Sequence, residues 1–281
     1  MKIILGKTAG FCAGVKNAVD KATMETNKHT NIYCLGELVH NKQVTEDLAK
    51  KGAIFIENID DAKENVIIRA HGIPKETYQK AKELNLKVID LTCPKVLQIH
   101  KIVEEYSKKG YFIFITGTIE HPEIVGTISF CNNQYAVIQD ENDVVKAIEE
   151  LKKSELSKAI LISQTTYSME KFNRIEEKLK EQLEVEVRNT ICMATKERQE
   201  ETVRIAQQVD MMIIIGGKQS SNTNKLYDIA KKYCSQVLFI ETADELRVEQ
   251  IKNIDKLGIM AGASTPAESI KKIVEKIQKK C

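Results

Sequence analysis

The sequence predicts an α/β protein of three similar lobes arranged as a pseudo-threefold ring. Three observations carry that expectation. Short β-branched runs alternate with amphipathic stretches along the whole chain, as in parallel sheets covered by helices. Cys12, Cys93 and Cys192 each stand between the end of an apolar run and the start of a helical one, 81 and 99 residues apart. Loops of matching composition recur between them, and recurrence of that kind marks a repeated unit.

Taken in order, MKIIL reads as a first strand, because one lysine and a short apolar run lack the features of a signal peptide. After Cys12, AGVKNAVDKA places Val15, Ala18, Val19 and Ala22 at helical spacing, and strands follow at IYCL, AIFI, VIIRA and KVIDL. After Cys93, PKVLQIHKIVEEYSKKG reads as a helix with Pro94 suited to its first turn. Strands then follow at YFIFI, YAVI, AILIS and VEVR. After Cys192 comes a helix containing Val203, Ile205 and Ala206, then strands at MMIII, QVLFI and LGIM. Each lobe is thus cysteine, helix and four strands with helices between. The third shows only three strands, and MKIIL is expected to supply the fourth. The lobes are residues 12–93, 94–191 and 192–281, the last completed by 1–11.

Composition narrows the function classes. The 281 residues carry 42 basic and 40 acidic side chains, so no global charge argues for nucleic acid or an acidic membrane. No apolar run reaches the ~18 residues of a membrane helix. The chain is therefore expected in the cytoplasm, where thiols stay reduced. Seven cysteines without a C-x-x-C pair show neither a zinc ribbon nor a thioredoxin motif.

The three repeated cysteines read as metal ligands, since a helix N-terminus favours the thiolate form. Cys34, Cys131, Cys234 and Cys281 read as structural. Three soft ligands fall short of structural zinc, which wants four. They fit an iron–sulfur cube with one open iron, a three-iron cluster, or a catalytic zinc.

The loops supply the other half of a site. After the first strand of each lobe stand GELVHN (36–41), GTIEHPE (117–123) and GKQSSN (217–222), with His40, His121 and Ser221 four residues after the glycine. After the third strand stand AHGIP (70–74), QTTYS (164–168) and AGASTP (261–266), which place His71, Thr165 and Ser264 in similar spots. Such loops line ligand sites beyond the carboxyl ends of parallel strands. Ser220, Ser221, Asn222 and Ser264 are the small donors a phosphate needs at a helix start, and histidines add charge-assisted bonds. His29 and His100 read as structural. Glu123 is the carboxylate placed to protonate a leaving hydroxyl, with Thr165 as relay. Neither a Walker loop nor GxGxxG is present, so nucleotides and nicotinamide are disfavoured and electrons come from another carrier.

Together GFCAGV, VHN, AHG, DLTCP, HPE, QTT, SSNTNKL and AGAST resemble the 4-hydroxy-3-methylbut-2-enyl diphosphate reductase family, terminal in the non-mevalonate isoprenoid pathway, from about residue 1 to 278. The resemblance implies three α/β lobes around one central [4Fe–4S] iron–sulfur cluster held by Cys12, Cys93 and Cys192. The substrate hydroxyl would bind the fourth iron and leave as water, giving isopentenyl and dimethylallyl diphosphate. Diphosphate contacts map onto His40, His71, His121, Ser220, Ser221, Asn222 and Ser264, and proton delivery onto Glu123 and Thr165. Ferredoxin or flavodoxin would bring electrons. The chain departs from many relatives in reading KTAG where they carry an arginine before the glycine, and HPEI for HPEV; neither change touches a ligand. Quinolinate synthase resembles the same architecture, but its dicarboxylate substrates call for arginines, and Arg69 alone stands beside these loops. A cluster-carrying sensor would explain the cysteines without the matched loops or Glu123.

Overall fold

The computed structural model describes residues 1–279. The chain opens on β1 (Lys2–Leu5) and enters α1 (Ala13–Lys28) directly after Cys12. The first lobe continues through β2 (Ile32–Leu35), α2 (Lys42–Lys50), β3 (Ala53–Ile56), β4 (Asn65–Ile68), α3 (Lys75–Glu83) and β5 (Lys87–Asp90). The second runs α4 (Pro94–Lys108), β6 (Tyr111–Thr116), α5 (Pro122–Ile128), β7 (Tyr135–Ile138), α6 (Val144–Lys153), β8 (Lys158–Ser163), α7 (Met169–Lys180) and β9 (Glu186–Val187). The third runs α8 (Met193–Ala206), β10 (Met211–Ile215), α9 (Ser221–Tyr233), β11 (Val237–Ile240), β12 (Lys256–Ala261) and α10 (Ala267–Gln278).

All these strands pair in parallel, in three sheets ordered β3-β2-β4-β5, β7-β6-β8-β9 and β11-β10-β12-β1. The order is the same in each. A lobe's first strand lies between its second and third, and the fourth sits beyond the third. In the last sheet that fourth place is filled by β1, with Lys2 opposite Lys256 and Leu5 opposite Ile259. The N-terminal strand therefore completes the third sheet, as the strand count predicts.

The central strands are apolar on both faces because helices cover both. Along β6, Phe112 and Phe114 enter a core with Ile148 and Phe172 from α6 and α7. The alternate residues Ile113 and Ile115 enter another with Ile99, Val103 and Ile124 from α4 and α5. In β10, Ile213 and Ile215 pack under α10, while Met212 and Ile214 pack under α8 and α9. Phe114 is fully buried, and truncating such a residue to alanine costs about 3–5 kcal/mol.

Two compact units divide this chain. One comprises Met1–Val19, Val39–Asp47 and everything from Met193, and holds the sheet of β1, β10, β11 and β12; the other comprises Asp20–Leu38 and Leu48–Cys192, and holds the remaining two sheets. Two strands fall two residues short of the runs that predict them. VIIRA leaves the sheet after Ile68, because the chain must turn toward Gly72, whose φ of +76° suits glycine. VEVR keeps two strand residues, because β9 is an edge strand paired only to Ile160 and Leu161.

Candidate active site

Each lobe positions its cysteine with the same hydrogen bond. The Cys93 amide donates to the Ala70 carbonyl (2.9 Å), Cys192 to Thr165 (3.0 Å) and Cys12 to Ala263 (3.2 Å). Each acceptor stands two residues past its lobe's third strand. Each cysteine then begins a helix, and Pro94 gives α4 a preset first turn. The first-turn amide of Val15 donates to Cys12 Sγ at 3.4 Å. These three thiols are half-buried, whereas Cys34, Cys131 and Cys234 are buried. Burial pushes the Cys34 and Cys131 thiols up to about 12, so they stay protonated. Cys34 lies in β2, Cys234 caps α9, and Cys131 closes the turn after α5. Cys281 lies outside the described residues.

The first-strand loops share a bond as well. Gly36 donates to Ile56 (2.8 Å), Gly117 to Ile138 (3.1 Å) and Gly216 to Ile240 (3.0 Å). This register corrects two equivalences. Of the paired glycines 216 and 217, the first matches Gly36 and Gly117, so Ser220 rather than Ser221 corresponds to His40 and His121. Likewise Thr165 is itself the carbonyl acceptor, level with Ala70 and Ala263, so Thr166 is the counterpart of His71 and Ser264.

The unit holding Cys93 and Cys192 carries His71, His121 and Glu123. His121 caps α5, its Nδ1 accepting from the Glu123 amide at 3.1 Å, and Pro122 holds the first helical position. An accepting Nδ1 places the proton of neutral His121 on Nε2, which becomes its outward donor. The His71 and His121 rings meet edge to face, 5.3 Å between centroids. Glu123, 2% exposed, accepts from the Thr165 amide at Oε1 and the Thr165 hydroxyl at Oε2, both 2.6 Å. Burial raises its carboxyl to about 7, against the lowering effect of both Thr165 bonds. A carboxyl so placed keeps its proton in a large fraction of molecules at neutral pH and has a hydroxyl within reach to relay it.

Gln164, which sequence reasoning assigned no role, is buried here too. Its Oε1 accepts from Thr118 at 3.1 Å and its Nε2 donates to Thr166 at 2.9 Å, tying the loop after β6 to the loop after β8. The only signal for it was its place in QTT. His100 is buried and stacked on Phe130, 4.6 Å between centroids, and burial lowers it to about 4, so it stays neutral. His29 lies beside Glu25 at 3.4 Å. Both behave as structural histidines.

The other unit carries neutral donors. Ser220 caps α9 by accepting from Thr223 at 3.3 Å, leaving its own proton to donate. Ser221 and Asn222 form the first turn of this helix, where amide groups and dipole favour an anion. Asn222 is 4% exposed, and its Oδ1 and Nδ2 have no hydrogen-bond partner among the described residues. A buried amide left so costs about 1–3 kcal/mol until something accepts from it. Ser264 donates to the His40 carbonyl at 3.2 Å. Gly217 packs on that same carbonyl, since a Cβ there would stand 2.6 Å from the oxygen.

The family model described as LytB protein matches residues 3–278. A 4-hydroxy-3-methylbut-2-enyl diphosphate reductase of Caldanaerobacter subterraneus is 42% identical, over 99% of this chain and 97% of that protein. One from Clostridioides difficile is also 42% identical, over 98% of each. A solved structure of the (E)-4-hydroxy-3-methyl-but-2-enyl diphosphate reductase, described as the terminal enzyme of the non-mevalonate pathway, superposes with a TM-score of 0.70 at 38% identity, over 99% of this chain and 100% of that one. The corresponding reductase of Plasmodium falciparum superposes with a TM-score of 0.90 at 31% identity, over 98% and 87%. With matches of this length and identity beside the repeated cysteine frame, the chain belongs to the LytB protein family, alongside the 4-hydroxy-3-methylbut-2-enyl diphosphate reductases.

Proposed function

We propose that this chain reduces 4-hydroxy-3-methylbut-2-enyl diphosphate to isopentenyl and dimethylallyl diphosphate. The carbon–oxygen bond of the hydroxyl breaks, two electrons and two protons enter, and water leaves. The observation that carries the reading is the equivalent amide-to-carbonyl bond at Cys12, Cys93 and Cys192, which starts three helices on three thiols in one register. Three half-buried sulfurs of that kind fit a [4Fe–4S] cluster held by three ligands, and the buried thiols Cys34, Cys131 and Cys234 do not. Such a cluster, when bound, supplies electrons singly and Lewis acidity at its open iron.

The chain's own residues do the rest. Glu123 holds a proton near neutral pH and passes it through Thr165 Oγ to the departing hydroxyl, turning a poor leaving group into water. Ser220, Ser221 and Asn222 at the start of α9, with Ser264, bind the diphosphate by neutral donors. A phosphate oxygen there competes with the His40 carbonyl for the single proton of Ser264. His40, His71 and His121 add imidazole donors, with Nε2 the donor on His121. Residues 12–93, 94–191 and 192–281 with 1–11 are the three lobes. Ferredoxin or flavodoxin brings the electrons, and the enzyme works in the cytoplasm.

The test is Cys93→Ser. Iron content and turnover of the diphosphate are expected to fall together. Normal iron with normal turnover in that variant would remove Cys93 from the ligand set and the reading with it.

A further inference from the structure

Two buried charged side chains on α8 take no part in the chemistry above. Arg198 is 4% exposed and Glu201 is 8% exposed, one helical turn apart on the same face. They reach residues 6–12, the loop that leads into Cys12, and all of these groups belong to one compact unit.

Arg198 Nη2 donates to the Gly10 carbonyl at 2.7 Å, and its Nη1 donates to Ala194 at 2.7 Å. Glu201 Oε2 accepts from the Thr8 amide at 2.8 Å and the Thr8 hydroxyl at 2.7 Å. Its Oε1 accepts from Arg204 at 2.7 Å. Burial alone would raise the Glu201 carboxyl; the Thr8 hydroxyl and amide, the Lys7 amide and Arg204 outweigh it and hold the group below its ordinary value. The loop is thus gripped two and four residues before Cys12 by a guanidinium and a carboxylate that stay charged.

The rest of the loop has little room to compensate. Gly6 and Gly10 donate to Ile259 (2.9 Å) and Ala261 (3.4 Å) along β12. Gly10 has a φ of +97°, and a Cβ there would stand 3.0 Å from Ile270 and 3.3 Å from the Thr265 carbonyl. With Gly10 fixed in position and its carbonyl held by Arg198, the direction in which Cys12 leaves the loop is set. Charged partners that orient a ligand from behind are the outer part of many metal sites.

We propose that Arg198 and Glu201 are positioning residues for Cys12, fixing the main chain from which its sulfur reaches the cluster. This rests on the reading of Cys12 as a cluster ligand.

The experiment compares anaerobically purified holoprotein of wild type, Arg198→Gln, Arg198→Lys, Glu201→Gln and Thr8→Val with a core control, Leu179→Ala, which lies under the second sheet in the other compact unit. Iron and acid-labile sulfide are measured, then the rate of iron release to a chelator, and Tm for each. Arg198→Gln and Glu201→Gln are expected to release iron about tenfold faster than wild type, with Arg198→Lys and Thr8→Val in between. Leu179→Ala is expected to lower Tm and release iron at the wild-type rate. Wild-type release from both Arg198→Gln and Glu201→Gln would overturn the proposal, as would equal acceleration in Leu179→Ala at a matched loss of Tm. A wild type that holds no iron would instead overturn the reading of the cysteines. Thr8→Val keeps the test decisive should either charge variant fail to fold.

Discussion

Glu123 and Asn222 occupy the same place in two lobes. Each is the second residue of the helix that follows its lobe's first strand, each comes after a side-chain N-cap, and each is almost fully buried. Their side chains differ by one methylene and in the terminal group. Glu123 is a carboxyl raised to about 7 and paired to Thr165, on a helix of seven residues. Asn222 is an amide with both polar atoms unpartnered, on a helix of thirteen residues. One frame thus serves two chemistries. A buried carboxyl is suited to holding a proton, and a buried amide at a long helix N-terminus is suited to an anion without adding charge of its own.

Exchanging the two characters tests this division. The largest effect is expected from Glu123→Gln, which keeps the shape and removes the proton. Its kcat should fall by about a hundredfold to ten-thousandfold at unchanged iron content; normal turnover would take the acid role away from Glu123. Next comes Asn222→Asp, which places a carboxylate where the diphosphate should bind. Here KM should rise on the order of tenfold to a hundredfold, by like-charge repulsion worth about 1.4 to 2.7 kcal/mol, and an unchanged KM would dismiss that contact.

Thr165→Val sharpens the comparison through pH. Glu123 must carry its proton to act, and its folded pKa lies above the ordinary 4.5. So kcat/KM should be level below about 7 and fall roughly tenfold per unit above it. The Thr165 hydroxyl favours the ionised carboxylate, so its removal should move the fall to higher pH and reduce kcat by about tenfold for the lost relay. Glu123→Gln should abolish this fall, and Asn222→Asp should retain it. By the same linkage the folded state binds the Glu123 proton more tightly than the unfolded chain does. Wild-type stability should therefore decline as pH rises from about 4.5 to about 7, a component Glu123→Gln should lack. The smallest effect is expected from His40→Ala, a severalfold rise in KM of about 1 kcal/mol, read from initial rates against substrate concentration.

Much of this was legible because the chain repeats. Alternating patterns gave the strands, three cysteines marked the lobes, and a missing strand in the third lobe pointed to β1 as its edge. The loop motifs led to the buried Glu123–Thr165 pair and to Ser220 and Asn222 at a helix start. Offsets of one residue were not legible, because both Gly216 and Gly217 could head the loop and only the bond from Gly216 to Ile240 decides between them. Nor was burial of polar side chains. Gln164, Arg198 and Glu201 look like ordinary polar residues in sequence, and their partners lie 46, 188 and 193 residues away. The division into two compact units follows from packing, which periodicity does not record.

The most direct measurement uses wild-type protein purified without oxygen and shown by iron and sulfide analysis to hold its cluster. It is mixed with a chemically reduced viologen dye, 4-hydroxy-3-methylbut-2-enyl diphosphate is added, and dye oxidation is followed by absorbance. The reading of this site requires substrate-dependent oxidation of two dye electrons per molecule of isopentenyl or dimethylallyl diphosphate formed. An intact cluster with no oxidation on adding the diphosphate would contradict it.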